Sequence, residues 1–97
     1  MDYLKRYNIK DTEYRFICDN LNPETLINLE VMQYNVEEVL KFLIEKGVKR
    51  PSNIVNYRPD LCLKPIKYLE EKLSKLDVKL IVYIIDNSID DLICFDI

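Results

Sequence analysis

Val36, Val39, Leu40 and Leu43 recur at intervals of three and four, with Glu37, Glu38 and Lys41 between them. That spacing lays an apolar stripe along one face of a helix and leaves the other face charged. Asn35 followed by Glu38 has the form of a capping box, and Gly47, the only glycine, stands where a helix stops on a residue with positive φ. The pattern predicts a helix over 36–46. Asn22, Pro23 and Glu24 read as an N-cap, a first-turn proline and a carboxylate at the positive end of a helix dipole, so another helix starts at Pro23. Pro65 opens a third, in which Ile66, Leu69, Leu73 and Leu76 share one face, Glu71 pairs with Lys75, and Asp77 marks the end. Ser88, with Asp91 three positions on, predicts a short last helix through Phe95.

The stretch VKLIVYIID, 78–86, has no such period. Continuous and β-branched after Lys79, it suits a buried strand as well as a buried helix, and the strand reading would make 78–95 a β-hairpin in an α+β fold. Internal similarity favours the helix. ICDNLNPETLI at 17–27, IVNYRPDLCL at 54–63 and IIDNSIDDLI at 84–93 align as three copies of one unit. Each reads as the end of a helix, a polar break, and a turn opened by Pro23, Pro59 or Ile89 and closed by Leu26, Leu61 or Leu92. The spacing is uneven, 37 residues from Ile17 to Ile54 and 30 from Ile54 to Ile84, and loops between helix pairs absorb the difference. Such a pair buries its apolar face only by stacking on neighbours. The expected fold is therefore all-α: a single domain, 1–97, of five to seven short helices stacked as helix-pair repeats or gathered into a compact bundle.

The run VEEVLKFLIEKGVKRPSNIVNYRPDLCLKPIKYLEEKLSKL resembles the helical repeat of the mitochondrial transcription termination factor (mTERF) family. Leu40, Leu43 and Gly47 match its leucine-rich helix ending at glycine, Ile54 and Val55 its second helix, and Pro59 and Leu61 its Pro-x-Leu turn. Counting all three copies, the resemblance covers 11–97, with Ile89 in the third proline position. It implies an all-α superhelix that binds nucleic acid along a basic groove.

Charge bears on that implication. The chain is acidic overall, with a net charge of −3, yet the sign alternates along it. Residues 1–40 carry four basic and eight acidic side chains, 41–79 ten and five, and 80–97 none and four. Lys46, Lys49, Arg50, Arg58, Lys64 and Lys67 are the candidate members of a basic stripe of the kind a phosphate backbone needs. The competing reading is a solvated surface in which Lys41 and Lys49 pair with Glu45. Tyr57, Tyr68 and Tyr83 are expected as half-buried core residues rather than as a stacking platform.

Catalysis finds little to work with. The chain has no histidine, and the adjacent pairs Glu37-Glu38, Glu70-Glu71 and Asp90-Asp91 diverge by about 100° on a helix. Asp86, Ser88 and Asp90 alternate like a calcium loop, but Asp91 holds the glycine position and Ile97 that of the bidentate glutamate. Cys18, Cys62 and Cys94 lie among aliphatic residues in no metal-like spacing and read as reduced core thiols. The N-terminus has no apolar leader-like stretch, and the longest uncharged apolar run, Leu80 to Ile85, is far too short to span a bilayer, so a cytoplasmic protein is expected. The reading is a small non-enzymatic module without cofactor or metal that binds another protein, as a regulator, adaptor or inhibitor. The alternative is a nucleic-acid-binding helical repeat that uses the basic middle.

Overall fold

Gly47 stops the longest helix by a complete Schellman motif. Its φ is +110°, its N–H donates to Ile44 O at 3.0 Å, and Val48 N–H donates to Leu43 O at 3.0 Å. A side chain at this position would carry the strain of a left-handed backbone. The helix so ended, α3, runs Gln33–Glu45, and the computed structural model, which describes residues 1–97, contains only helices around it. A 3₁₀ segment Asp2–Arg6 precedes α1 (Asp11–Asn20) and α2 (Pro23–Val31). After α3 come α4 (Pro51–Tyr57), α5 (Pro59–Leu63), α6 (Ile66–Ser74), α7 (Val78–Asn87) and a second 3₁₀ segment, Ile89–Phe95.

The cap at Asn22 is as expected, its side chain accepting from Thr25 N–H at 2.8 Å. Residues 78–87 are helical, so the α+β alternative with a hairpin over 78–95 does not hold. An apolar run this rich in isoleucine folds as a helix because Asp77 caps its start, accepting from Lys79 N–H at 3.0 Å, and Ile81, Ile84 and Ile85 share its buried face. Asp77 thus begins a helix instead of ending one, and α6 stops at Ser74. Asn35 is no N-cap either. The α2–α3 junction is a kink at Met32, after which α3 starts at Gln33, and Asn35 Nδ2 reaches across to Cys62 O and Lys64 O at 2.8 and 2.7 Å. It satisfies carbonyls at the end of α5 that α5 itself leaves unpaired.

The three similar stretches occupy equivalent places. In each, an isoleucine of the first helix, Ile17, Ile54 or Ile84, is buried, and a polar break leads into a second helical element. The first helices form one layer in the order α1, α4, α7, with α4 packed on both others; α5 packs on α2, and the second 3₁₀ segment on α7 and α4. Helix α3 lies against α5 and α6. The three units make a short stack 33 × 24 × 22 Å in extent, with a radius of gyration of 12.4 Å, close to that of any globular domain of this length.

One end of the stack is closed by the first 3₁₀ segment. Tyr3 and Leu4 are buried, the Tyr3 hydroxyl donates to Leu29 O at 2.6 Å, and Lys5 pairs with Asp11 at 3.3 Å and lies over the Tyr14 ring. Burial pushes the Tyr3 phenol well above its ordinary range, with nearby acidic groups adding to the effect. Glu37 of α3 accepts from Tyr7, Arg6 and Gln33; the Tyr7 bond holds its carboxyl below the ordinary range, against the opposing effect of burial.

Helix α4 has only seven residues and is too short to persist alone. The Asp86 carboxylate of α7 caps it, accepting from Arg50 N–H at 2.8 Å and Lys49 N–H at 3.1 Å. Replacing Asp86 by Ala is expected to lower the unfolding free energy by about 1–2 kcal/mol, the cost of losing a helix cap, with the urea midpoint as readout. A loss below about 0.3 kcal/mol would mean that α4 does not depend on this cap.

Candidate functional site

Where consecutive units meet, the contacts are polar and each leaves a cleft beside it. Between α1 and α4, Asn20 Nδ2 donates to Asn56 Oδ1 at 3.0 Å and the Ser52 hydroxyl donates to Glu13 Oε2 at 2.9 Å. Ser52 and Asn56 are the buried polar side chains of the protein, and both are satisfied by these bonds. Glu13 does two jobs, since its other oxygen accepts from Lys10 N–H at 2.9 Å at the start of α1. Beside these bonds lies a cleft of about 220 Å³ lined by Thr12, Glu13, Phe16, Ile17, Ser52, Asn53, Asn56 and Tyr57. Phe16 and Tyr57 are 51% and 50% exposed.

Between α4 and α7, Asn53 Nδ2 donates to Ile85 O at 2.9 Å, while Asp86 returns the contact by capping α4. A second hollow, about 450 Å³, runs here from Arg50, Asn53 and Tyr57 to Asn87, Asp90 and Asp91. It shares Asn53 and Tyr57 with the first, so the two lie side by side along α4. A third hollow of about 400 Å³ brings Lys49, Arg50 and Lys79 together around Tyr83, with Asp86 among them.

The six candidate cations do not form one stripe. Lys46 lies over the Phe42 ring at 5.3 Å, and Lys64 over the Tyr68 ring at 4.1 Å. Lys67 is exposed on α6. Arg58 is committed: Nε and Nη2 grip Asp60 at 3.1 and 3.2 Å, and Nη2 also donates to Ile97 O at 2.8 Å. Burial alone would raise the Asp60 carboxyl, but the Arg58 hydrogen bonds and charge outweigh it and hold the group below its ordinary range. Only Lys49 and Arg50 share a hollow, and the cation beside them, Lys79, belongs to a helix 29 residues later in the chain. No local pattern in the sequence marks Lys79 as their neighbour. The expected pairs of Glu45 with Lys41 and Lys49, and of Glu71 with Lys75, do not form; the ion pairs of the central segment are instead Arg58–Asp60 and Lys72–Asp96. Tyr57 is half exposed and Tyr68 partly buried, near the half-buried state expected, whereas Tyr83 is 61% exposed and stands outside the core.

The cysteines differ from one another. Cys62 is fully buried and burial pushes its thiol well above the ordinary range, Cys18 is intermediate, and Cys94 is exposed and so not a core thiol. Asp86, first of the calcium-like alternation, serves as the α4 cap. No helix is long and apolar enough to cross a membrane. No protein-family model matches the chain, and no curated protein or solved structure does.

A thiol reagent is expected to label Cys94 rapidly in the native protein and Cys62 only on unfolding; fast native labelling of Cys62 would contradict its burial. Acid acts through Glu37 and Asp60. Each has a lowered folded value, so the unfolded chain takes up protons first, and the stability they contribute is present above about pH 4 and lost as pH falls toward the folded values. The urea midpoint should fall between about pH 5 and pH 3, and less so in the Glu37→Gln, Asp60→Asn double variant.

Proposed function

We propose that this chain is a small, non-enzymatic helical module that binds another protein, holding a segment of its partner in the cleft between α1 and α4. The observation that carries this reading is the pair Phe16 and Tyr57, half exposed on the two walls of a cleft furnished with amides and hydroxyls. Aromatic rings left in water gain the most on being covered, and they are the residues that anchor protein interfaces. The Thr12 hydroxyl and the Asn53 Oδ1, which no intrachain hydrogen bond uses, offer a donor and acceptors of the kind that pair with peptide groups. Such a mixture of rigid apolar surface and a few fixed polar groups suits a polypeptide segment.

Charge favours a protein over a phosphate chain. Arg58 is tied to Asp60, and Lys46 and Lys64 lie over their own aromatic rings. The hollow next to the cleft carries Asp86, Asp90 and Asp91 against a single Arg50, which repels a polyanion. A second reading, a nucleic-acid-binding helical repeat as the mTERF resemblance implies, draws support from Lys49, Arg50 and Lys79 around Tyr83, cations beside an aromatic platform.

The two readings separate in one set of measurements. A partner recovered from the native source with the wild-type chain, in the presence of nuclease, is purified and titrated calorimetrically. Phe16→Ala and Tyr57→Ala should each weaken binding roughly tenfold or more, and Lys49→Glu, Arg50→Glu, Lys79→Glu together should change it little. Arg58 is left intact because its reversal would damage the fold. If instead the wild type binds single-stranded nucleic acid with a steep salt dependence and the triple reversal removes that binding, the protein-binding reading fails.

A further inference from the structure

We propose that two copies of this chain pair tail to tail through the outer face of α7. Aligning Ile17, Ile54 and Ile84 puts Glu13, Phe16 and Asn20 in register with Arg50, Asn53 and Tyr57, and both sets with Leu80, Tyr83 and Asn87. The first set faces the next helix, Glu13 and Asn20 bonding Ser52 and Asn56. The second does the same, Arg50 N–H and Asn53 bonding Asp86 and Ile85. The third set has no helix beyond it. Leu80 is 43% and Tyr83 61% exposed, Ile93 of the following 3₁₀ segment is 75% exposed, and Asn87 Nδ2 turns back to Tyr83 O on its own helix at 3.0 Å. The stack presents a unit's joining surface with nothing joined to it.

The occupant follows from the other end. Head-to-tail addition would need the far face of α1, where Asp11 and Tyr14 hold Lys5 of the first 3₁₀ segment and the adjoining Tyr3 and Leu4 are buried. A second α7 meets no such obstacle. Two α7 helices packed antiparallel about a two-fold axis bring Leu80 and Tyr83 together at the centre, Tyr83 being midway between Lys79 and Asn87. Lys79 near the start of one helix then lies opposite Asn87 at the end of the other, its long side chain within reach of Asp90 and Asp91, which stand just past that end on the rim of the hollow beside Arg50, twice over by symmetry. None of Lys79, Asp90 and Asp91 takes part in an ion pair within the chain. The helix dipoles oppose one another, which is also favourable. One helix face per copy falls below the area of a tight interface, so half-dimerisation is expected at roughly 10–100 µM.

Sedimentation velocity on the full chain, from about 5 to about 500 µM, should show monomer passing to dimer and no larger species. Tyr83→Glu should leave only monomer. Lys79→Glu should weaken association about tenfold, and adding Asp90→Lys and Asp91→Lys to it should restore the dimer, a rescue that does not depend on how well Tyr83→Glu folds. In a Cys94→Ser background, Tyr83→Cys should form a disulfide-linked dimer on oxidation, since two-fold symmetry places the two side chains together. Phe16→Ala and Tyr57→Ala lie outside this face and should leave dimerisation intact, so partner binding and pairing are tested separately. Monomer at every concentration, association that survives Tyr83→Glu, growth beyond the dimer, or failure of the charge-reversal rescue would each overturn the proposal.

Discussion

The structure depends on a reciprocal contact between two helices that neither could replace. The Asp86 carboxylate of α7 accepts from the N–H groups of Lys49 and Arg50, just before α4, and Asn53 of α4 donates to the Ile85 and Asp86 carbonyls in the last turn of α7. Each helix end is thereby anchored by its neighbour, and a seven-residue helix depends on such tertiary support together with the burial of its apolar face. With α4 fixed, the rest has a place to sit. Helix α1 joins it through Glu13 and Asn20, α5 continues from it by one residue, and its buried Ile54 and Val55 hold the middle of the core. The clefts then follow as spaces left where polar bridges hold helices at a distance that apolar packing would close.

How much of this could be read beforehand depended on where the partner of each signal lay. Asn22 caps the helix beginning at the next residue, and Gly47 ends the helix just before it, so both were legible. Helix α7 was legible through the likeness of its C-terminal end to two other stretches, although its own pattern was ambiguous. Asn35 has the local form of an N-cap but bonds carbonyls 27 and 29 residues away. Asp77 falls at the end of one apolar pattern and the start of another, and only the observed bonds to Lys79 and Leu80 assign it to the second. The cleft was not legible, since Phe16 and Tyr57 come from different units and nothing in their immediate surroundings says they stand across a gap.

The cations show the same distinction. Along the chain, 41–79 is a basic block, and in a flat arrangement it would be a stripe. Folding spends its members singly: Arg58 on Asp60 and Ile97, Lys64 and Lys46 on rings, Lys72 on Asp96. Acidic residues far away in sequence come close in space, Asp86 beneath Lys49 and Arg50 most of all. A short-range attraction to a fixed carboxylate outcompetes a diffuse field, and the surface that results is mixed in sign.

The composition of the joining face changes along the stack in a way that bears on its open end. At the two internal junctions this face carries Glu13, Phe16 and Asn20, then Arg50, Asn53 and Tyr57, and the Glu13, Asn20 and Asn53 side chains and the Arg50 N–H all find partners in the same chain. The two buried polar side chains on the receiving side, Ser52 and Asn56, are tolerable there because the chain guarantees their partners. At the last unit the corresponding positions hold Leu80, Tyr83 and Asn87, and Leu80 replaces the charged residue of the earlier units. A terminal unit that faced only water would favour the reverse, since the ends of stacked repeats need a polar outer surface. Leucine exacts no desolvation cost when covered, and tyrosine can bury its ring while its hydroxyl stays wet at the rim, so this face can be covered without the fixed polar partners that the earlier units need.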